Sequence, residues 1–311
     1  MNSQASIKTR LAVMVLFASS VGWGLTWWPI KMLGDSGIDG MQMIFIAFLS
    51  GILVLSPWLY KQYPIWKKSI GLMLMIALSG GIANASFQTA IYHGDVVRVM
   101  ILFYMLPVWS VLGGRIFLKE HVDLLRFIAV ALCLSGAFVI LDVWHTSWQG
   151  ITWIDILAIC SGMGLAATNI LFRFTQDSPV MSKVAFMFIG CTSLIGVSMM
   201  VSSPAVLLPA NDVVALSVAY GAIWLTLITF GTQWAVTQME AGRSAVIIVV
   251  ELVVAVVSSA IIIGSGLKLY EIIGGLMVLT AAVLEGYRAE EAGATDVKQS
   301  AQAELAEELH S

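Results

Sequence analysis

Glu251 lies deep inside an apolar run, seven residues past Ser244 and twelve before Ile263, in a stretch otherwise built from Ser, Ala, Val, Ile and Leu. Insertion scales put a charged side chain at that depth at about 2.5–3.5 kcal/mol, so the neutral carboxyl is favoured unless a cation stands beside it. Such a group is either a proton carrier or counter-ion for an amine, or a neutral carboxyl bonding a neighbouring helix. The sequence leaves both open. Trp23 and Trp27 are four residues apart. On a continuous helix they share a face with Ser20 and Lys31, where they would wall a flat or cationic substrate or simply pack. Tyr104 and Trp109 pose the same choice. The carboxamides Asn84, Gln88, Asn169 and Gln233 also fall inside apolar runs, and a carboxamide needs several hydrogen-bond partners. Two acid–arginine pairs, Asp95 with Arg98 and Glu240 with Arg243, are candidate gate pairs. The alternative is a helix-start acid with a snorkelling arginine.

No pattern of nucleophile, base or metal ligand accompanies these groups. There is no HExxH, no GxSxG, no pair of intramembrane aspartates and no P-loop. The run Gly162-Met163-Gly164-Leu165-Ala166-Ala167 fits GxGxxA in letters only, because it lies inside an apolar helix and not after a strand. Cys133, Cys160 and Cys191 are far apart in apolar runs and read as small packing residues. No catalytic residue, metal or cofactor is therefore assigned, nucleic acid is not a partner, and an enzyme is not expected. A membrane-embedded enzyme or sensor is the remote alternative.

The elements that position these residues are membrane spans. With 59% apolar residues, 11% charged residues and a mean hydropathy of +0.90, the composition excludes an ordinary soluble protein. Ten apolar runs of a length to cross roughly 30 Å of hydrocarbon as helices are expected. They fall at 11–33, 41–60, 70–92, 98–118, 124–142, 152–173, 184–202, 213–238, 244–263 and 268–286. The connections are too short for a soluble domain. The first run lacks a small-residue cleavage site and is expected to be retained.

The chain nearly repeats itself. Gln88 returns 145 residues on as Gln233, Ala90 as Ala235, Asp95 as the acid Glu240 and Arg98 as Arg243. Val108 meets Val253, Val111 meets Val256, Ile116 meets Ile261 and Leu134 meets Leu279. The openings match at an offset of 140, Gly22-Trp23-Gly24-Leu25 against Gly162-Met163-Gly164-Leu165. Five spans per unit place the second unit upside down relative to the first. Inverted repeats are the architecture with which secondary transporters alternate access around a midplane site. The expected division is a first five-helix repeat at 11–142, a second, inverted one at 152–286, and an acidic tail at 289–311.

With the N-terminus inside, thirteen of the 16 basic residues fall on one side, among them Lys61, Arg115, Lys119, Arg126, Arg173, Lys183 and Arg243. Only Lys31, Arg98 and Lys268 fall on the other. Both termini, including the tail, are expected in the cytoplasm. Trp144, Trp148 and Trp153 cluster at a non-cytoplasmic turn, and Trp58, Tyr60, Tyr63 and Trp66 at a cytoplasmic boundary, as aromatic belts do. Spans three and eight are the most polar (Ser79, Asn84, Ser86, Gln88 and Thr89; Thr226, Thr229, Thr232, Gln233 and Thr237). Spans one and six follow, with Ser19, Ser20, Thr26, Ser161, Thr168 and Asn169. Spans two, five and ten are plain, with Ser50, Ser135 and Thr280 isolated. Spans one, three, six and eight, with parts of four and nine, are expected to surround a central cavity. The alternative is hydroxyls that bond back to their own helix.

The run Leu106-Pro107-Val108, then Leu118-Lys119-Glu120, then an apolar span with Gly136, resembles the end of a repeat in the EamA family of the drug/metabolite transporter superfamily. Trp23-Gly24 resembles the family's opening motif. The resemblance covers about residues 11–286. It implies ten helices in two inverted five-helix repeats, cytoplasmic termini, a cavity lined by spans one, three, four, six, eight and nine, and export of amino acids and other small metabolites. Two departures stand out. Leu252 follows Glu251 where the family often has Pro, so span nine is expected to be less kinked than span four. Ser265 stands where the family has a second Glu, which leaves Glu120 a structural role at a cytoplasmic helix junction.

The expectation is thus an all-α polytopic protein of the inner (cytoplasmic) membrane that exports small metabolites, most readily amino acids or related zwitterions, by alternating access. Protons are a candidate co-substrate. Efflux of lipophilic cations or drugs is the alternative. Monomer and homodimer are both open, since Gly113, Gly114, Gly274 and Gly275 allow close helix contacts within or between chains.

Overall fold

The computed structural model describes residues 2–146, 150–202, 210–264 and 266–287. Trp148, Ser265 and the acidic tail lie outside the described residues. The protein is an all-α polytopic membrane protein. Among the described residues, nine helices have the length and hydropathy to cross a bilayer: α1 Lys8–Asp35, α2 Gly40–Lys61, α3 Tyr63–His93, α4 Val96–Phe117, α6 Trp153–Phe174, α7 Val180–Val201, α8 Asn211–Gln238, α9 Ala241–Ile263 and α10 Leu269–Tyr287. The remaining one, α5 Leu124–Ile140, is shorter at 17 residues, about 25 Å of helix. It stops where Asp142 adopts a left-handed backbone, φ 51°.

Local chemistry accounts for the boundaries. Asp39, Asp95 and Asp123 cap α2, α4 and α5 by accepting backbone N–H groups at 2.9 Å. Thr152 and Asp155 form a reciprocal capping box at the start of α6. Helix α3 begins at Tyr63, before the apolar run at 70, because Pro64 sits in the first turn of a short helix that a 3-10 turn at Lys67–Ser69 joins to Ile70–His93. Helix α7 begins at Val180, directly after Pro179.

The spacing seen in the sequence recurs in the helix boundaries. Helices α4 and α9 begin at Val96 and Ala241, and α5 and α10 at Leu124 and Leu269, each 145 residues apart. Helices α2 and α7 begin at Gly40 and Val180 and end at Lys61 and Val201, each 140 apart. The packing pairs correspond as well: α3 lies on α6 and α7, while α8 lies on α1 and α2; α4 lies on α6, while α1 lies on α9. Helices α5 and α10 meet at Gly136 and Gly274, where a Cβ on either would strike the other's carbonyl oxygen at 2.7 and 2.5 Å. This contact lies within one chain. A large apolar cluster joins α2, α3, α7 and the first half of α8, with Phe48 and Phe188 edge to face at 5.1 Å. A second cluster joins α4, α5, α9 and α10, and a third joins α1, α4, α8 and α9. Many exposed large apolar side chains, such as Leu53, Phe127, Ile223 and Ile261, form the outward face, as bilayer contact requires.

Candidate functional site

Three helices lose their regular winding near mid-span. Helix α1 is interrupted at Leu25–Thr26, α4 at Tyr104–Met105 and α9 at Val249. Pro107 supplies the cause in α4, since it has no N–H for the preceding turn. In α9 the break survives without a proline, reduced to one residue, with Leu252 N donating to Val249 O at 3.0 Å. Tyr104 and Val249 are 145 residues apart, so the breaks occupy corresponding positions. Helix α8 carries a further irregularity, a π-helical stretch at Tyr220–Leu225.

The breaks of α1, α4 and α9 meet. A Cβ on Gly24 would reach the Glu251 carbonyl oxygen at 2.5 Å, so α1 lies directly on the first turn after the α9 break. Tyr104 Oη, at the α4 break, donates to Glu251 Oε1 at 3.1 Å. Tyr104 is 3% exposed, whereas Glu251 is half-buried although it sits at mid-span.

Trp23 and Trp27 each bond a different helix of the second half. Helix α1 is interrupted between them, at Leu25–Thr26. Trp23 Nε1 donates to Thr232 Oγ1 on α8 at 3.1 Å, and Trp27 Nε1 to Ser258 Oγ on α9 at 2.9 Å. Both rings are half-buried and span the gap between the halves. Lys31 is exposed beyond them.

The carboxamides divide into two sets. Asn169 on α6 is 0% exposed and Gln233 on α8 is 2% exposed. Gln233 Nε2 donates to Asn169 Oδ1 at 3.3 Å. Asn169 Nδ2 and Gln233 Oε1 have no protein partner among the described residues. On α3, Asn84 and Gln88 are half-buried, and Asn84 Nδ2 turns back onto Gly80 O at 3.0 Å. Several hydroxyls also bond to their own helix, including Ser79, Ser161, Thr237 and Ser244. For these the local alternative holds, and they report nothing about a cavity. Thr168 both bonds back to Gly164 O and reaches Ser79 on α3 at 2.9 Å.

The two acid–arginine pairs differ. Asp95 caps α4, while the Arg98 guanidinium crosses to Asp155 on α6 at 2.6 Å and to Gly150 O. Arg98 thus ties α4 to the start of α6. Glu240 and Arg243 do meet, at 3.4 Å, but inside a larger cluster. Arg126 on α5 pairs with Glu240 and lies 3.6 Å from Glu285 on α10, while Arg243 lies 3.7 Å from the other oxygen of Glu285. Glu120 accepts the Ala241 N–H at 3.0 Å, capping α9, and lies 3.9 Å from Arg126. Burial pushes the Glu120 carboxyl above its ordinary range, opposed by that N–H and by Arg126 and Arg173 and reinforced by Glu240. Arg173 Nη1 donates to Thr237 O at 2.9 Å. Lys183, 0% exposed, donates to the Phe172 and Thr175 carbonyls at 2.9 and 3.0 Å and so caps the end of α6.

Arg126, Lys183 and Glu285 are buried charged residues that sequence reasoning counted as boundary charges or passed over. The positions of Arg126 and Lys183 at helix ends gave no sign of burial. A signal did exist for Glu285, an acid in the last turn of an apolar span, where the helix dipole disfavours it unless a cation is near. At the opposite end, a groove of about 950 Å³ is lined by His93, Asp95, Arg98, Asp142, Asp155 and Glu271, away from Glu251.

Residues 10–142 match the EamA-like transporter family. A crystal structure described only as that of a protein shares the fold at a TM-score of 0.70 and 13% identity, over 88% of this chain and 97% of the other. At that identity the likeness concerns the fold alone. No curated protein matches the chain.

Proposed function

We propose, for a chain whose residues 10–142 match the EamA-like transporter family, export of small metabolites, most readily amino acids or related zwitterions, from the cytoplasm across the inner membrane. The protein is a multi-pass membrane transporter, and its substrate is a small molecule. The observation that carries the finer reading is Glu251: an acid at mid-span, half-buried, held by Tyr104 where three interrupted helices meet. Interrupted helices around an ionisable group are how transporters build midplane sites. A carboxyl there suits a substrate ammonium, Trp23 and Trp27 suit an apolar side chain, and the carboxamides Asn84, Gln88, Asn169 and Gln233 offer donors to a carboxylate. The two five-helix repeats, 11–142 and 152–286, would rock against each other to expose this site to one side and then the other. The basic ends of the helices would face the cytoplasm.

The test is transport into proteoliposomes, guided by an untargeted comparison of secreted metabolites with and without overexpression. Glu251→Gln should fold and lose the pH dependence of transport if the carboxyl carries a proton. Tyr104→Phe should keep transport and shift that dependence. An unchanged pH profile in Glu251→Gln removes the proton role. No secreted zwitterion rising with overexpression removes the substrate class.

A mid-span carboxyl in a chain whose α1 carries two half-buried indoles also favours a second substrate, a lipophilic cation. Sensitivity to cationic dyes, measured beside amino-acid export, separates the two.

A further inference from the structure

Corresponding positions of the two halves are covered to different degrees. Gln233 and Thr229 on α8 are 2% and 1% exposed. Their counterparts 145 residues earlier on α3, Gln88 and Asn84, are both half-buried. Ala235 and Ala90, another corresponding pair, are both 0% exposed, so α3 is not simply a more exposed helix. The packing differs in the same sense. Helix α6 closes against both α8 and α9, a pairing that α1 does not match against α3 and α4 among the main helix contacts. The closure is made by Gln233 on Asn169 and by Arg173 on the Thr237 carbonyl. Both contacts lie toward the basic ends of the helices, beside the Arg126, Glu240, Arg243 and Glu285 cluster.

We infer that the structure holds a transport path shut at its basic end and open at the opposite end, with the Asn169–Gln233 and Arg173–Thr237 contacts between α6 and α8 as the lock. The inference rests on the transport reading above and names the residues that gate it. The lock is built to be broken. Among the described residues, Asn169 Nδ2, Gln233 Oε1, Thr229 Oγ1 and Ser110 Oγ have no protein partner in the shut arrangement, and a buried polar group left unpaired costs free energy. Opening the basic end lets these groups meet water or substrate. The charged cluster opposes that cost, because Glu120 and Arg126 of the first half hold Ala241 and Glu240 of the second. When the basic end opens, Asn84 and Gln88 on α3 become the covered pair.

Single cysteines at 88 and 233 test this, in a chain whose half-buried Cys160 is replaced by Ala and whose buried Cys133 and Cys191 are kept. A membrane-impermeant maleimide is applied from outside to cells and from the cytoplasmic face to inside-out vesicles. Gln88→Cys should label from outside. Gln233→Cys should label from the cytoplasmic face slower by about tenfold or more, the ratio set by a minor open state populated at about 10% or less. Equal rates from the two faces overturn the inference. If Gln233→Cys fails to fold, Thr229→Cys against Asn84→Cys makes the same comparison. Cysteines at 169 and 233, once oxidised to a disulfide, should stop transport reversibly while labelling at 88 persists; normal transport with the disulfide formed also overturns it. A chain that labels as expected yet moves no candidate substrate refutes the transport reading and leaves the shut basic end standing.

Discussion

Arg126 at the start of α5 and Glu285 at the end of α10 are each 1% exposed, and they face one another at 3.6 Å. They join the two short, plain helices that the polar pattern assigns to the periphery. Arg126 also pairs with Glu240, and Glu285 also reaches Arg243, so four charges neutralise one another in a space from which water is largely excluded. Removing one member leaves the others uncompensated. Arg126→Ala is expected to destabilise the fold by about 3–5 kcal/mol, the range for breaking a buried pair from one side. Thermal unfolding in detergent measures it. Arg126→Lys should recover only part, since a lysine presents one point charge where the guanidinium serves several carboxylates. A melting temperature unchanged in Arg126→Ala would mean that water, not Glu240 and Glu285, balances this charge.

The α1–α9 contact makes a second prediction. Gly24 faces a backbone oxygen, Glu251 O at 2.5 Å from a built Cβ, as well as the Val254 side chain. Gly22, half a turn away, faces only the Ile228 side chain. A side chain can rotate aside, whereas a carbonyl at a helix break moves only with the backbone. Gly24→Ala should cost about 1–3 kcal/mol through overpacking and should reduce transport by displacing Glu251. Gly22→Ala should be milder in both respects. Equal losses of melting temperature and of initial transport rate in the two variants would contradict the contact.

Glu120 ties stability to pH. Its carboxyl is raised chiefly by burial, so the folded chain holds this proton more tightly than the unfolded chain does. The contribution to stability is then fully present below the ordinary glutamate value and is lost as pH rises through the raised folded value. Glu120→Gln abolishes that titration while keeping an oxygen for the Ala241 N–H. The stability of the natural chain relative to this variant should therefore fall as pH is raised from about 4 to about 7. Melting curves of both proteins across that interval check it. A difference that stays flat or grows would show that Arg126 and Arg173 outweigh burial at this site.

The ten helices and their order were legible because the hydrocarbon core imposes a length and a composition that show directly in the chain. Each apolar run matches its helix to within a few residues except at the start of the first, where the helix begins at Asn2, and at Tyr63–Ser69, where a proline-initiated turn extends α3 backward. The 145-residue spacing was legible as well, since Gln88 and Gln233 or Arg98 and Arg243 keep residue type at fixed distance. Glu251 could be singled out because an acid at that depth is costly enough to need a reason.

What local pattern could not convey is direction. A helix wheel places Trp23 and Trp27 on one face, but the interruption at Leu25–Thr26 sends one indole to Thr232 and the other to Ser258. Pro29 announces that interruption, since it has no N–H for the turn that begins at Leu25, but it says nothing of which helix each indole meets. The sequence makes Asp95–Arg98 and Glu240–Arg243 look alike, yet Arg98 reaches Asp155 while Arg243 joins Glu285 and Arg126. Partners 57 or 114 residues apart are chosen by which helix ends the fold brings together. Composition and hydropathy thus determined that this chain is an all-α polytopic membrane protein with an acid at depth. Only the tertiary structure decided which helices break, which buried charges compensate one another and which half closes over its carboxamides, because those outcomes depend on distances across the bundle and not along the chain.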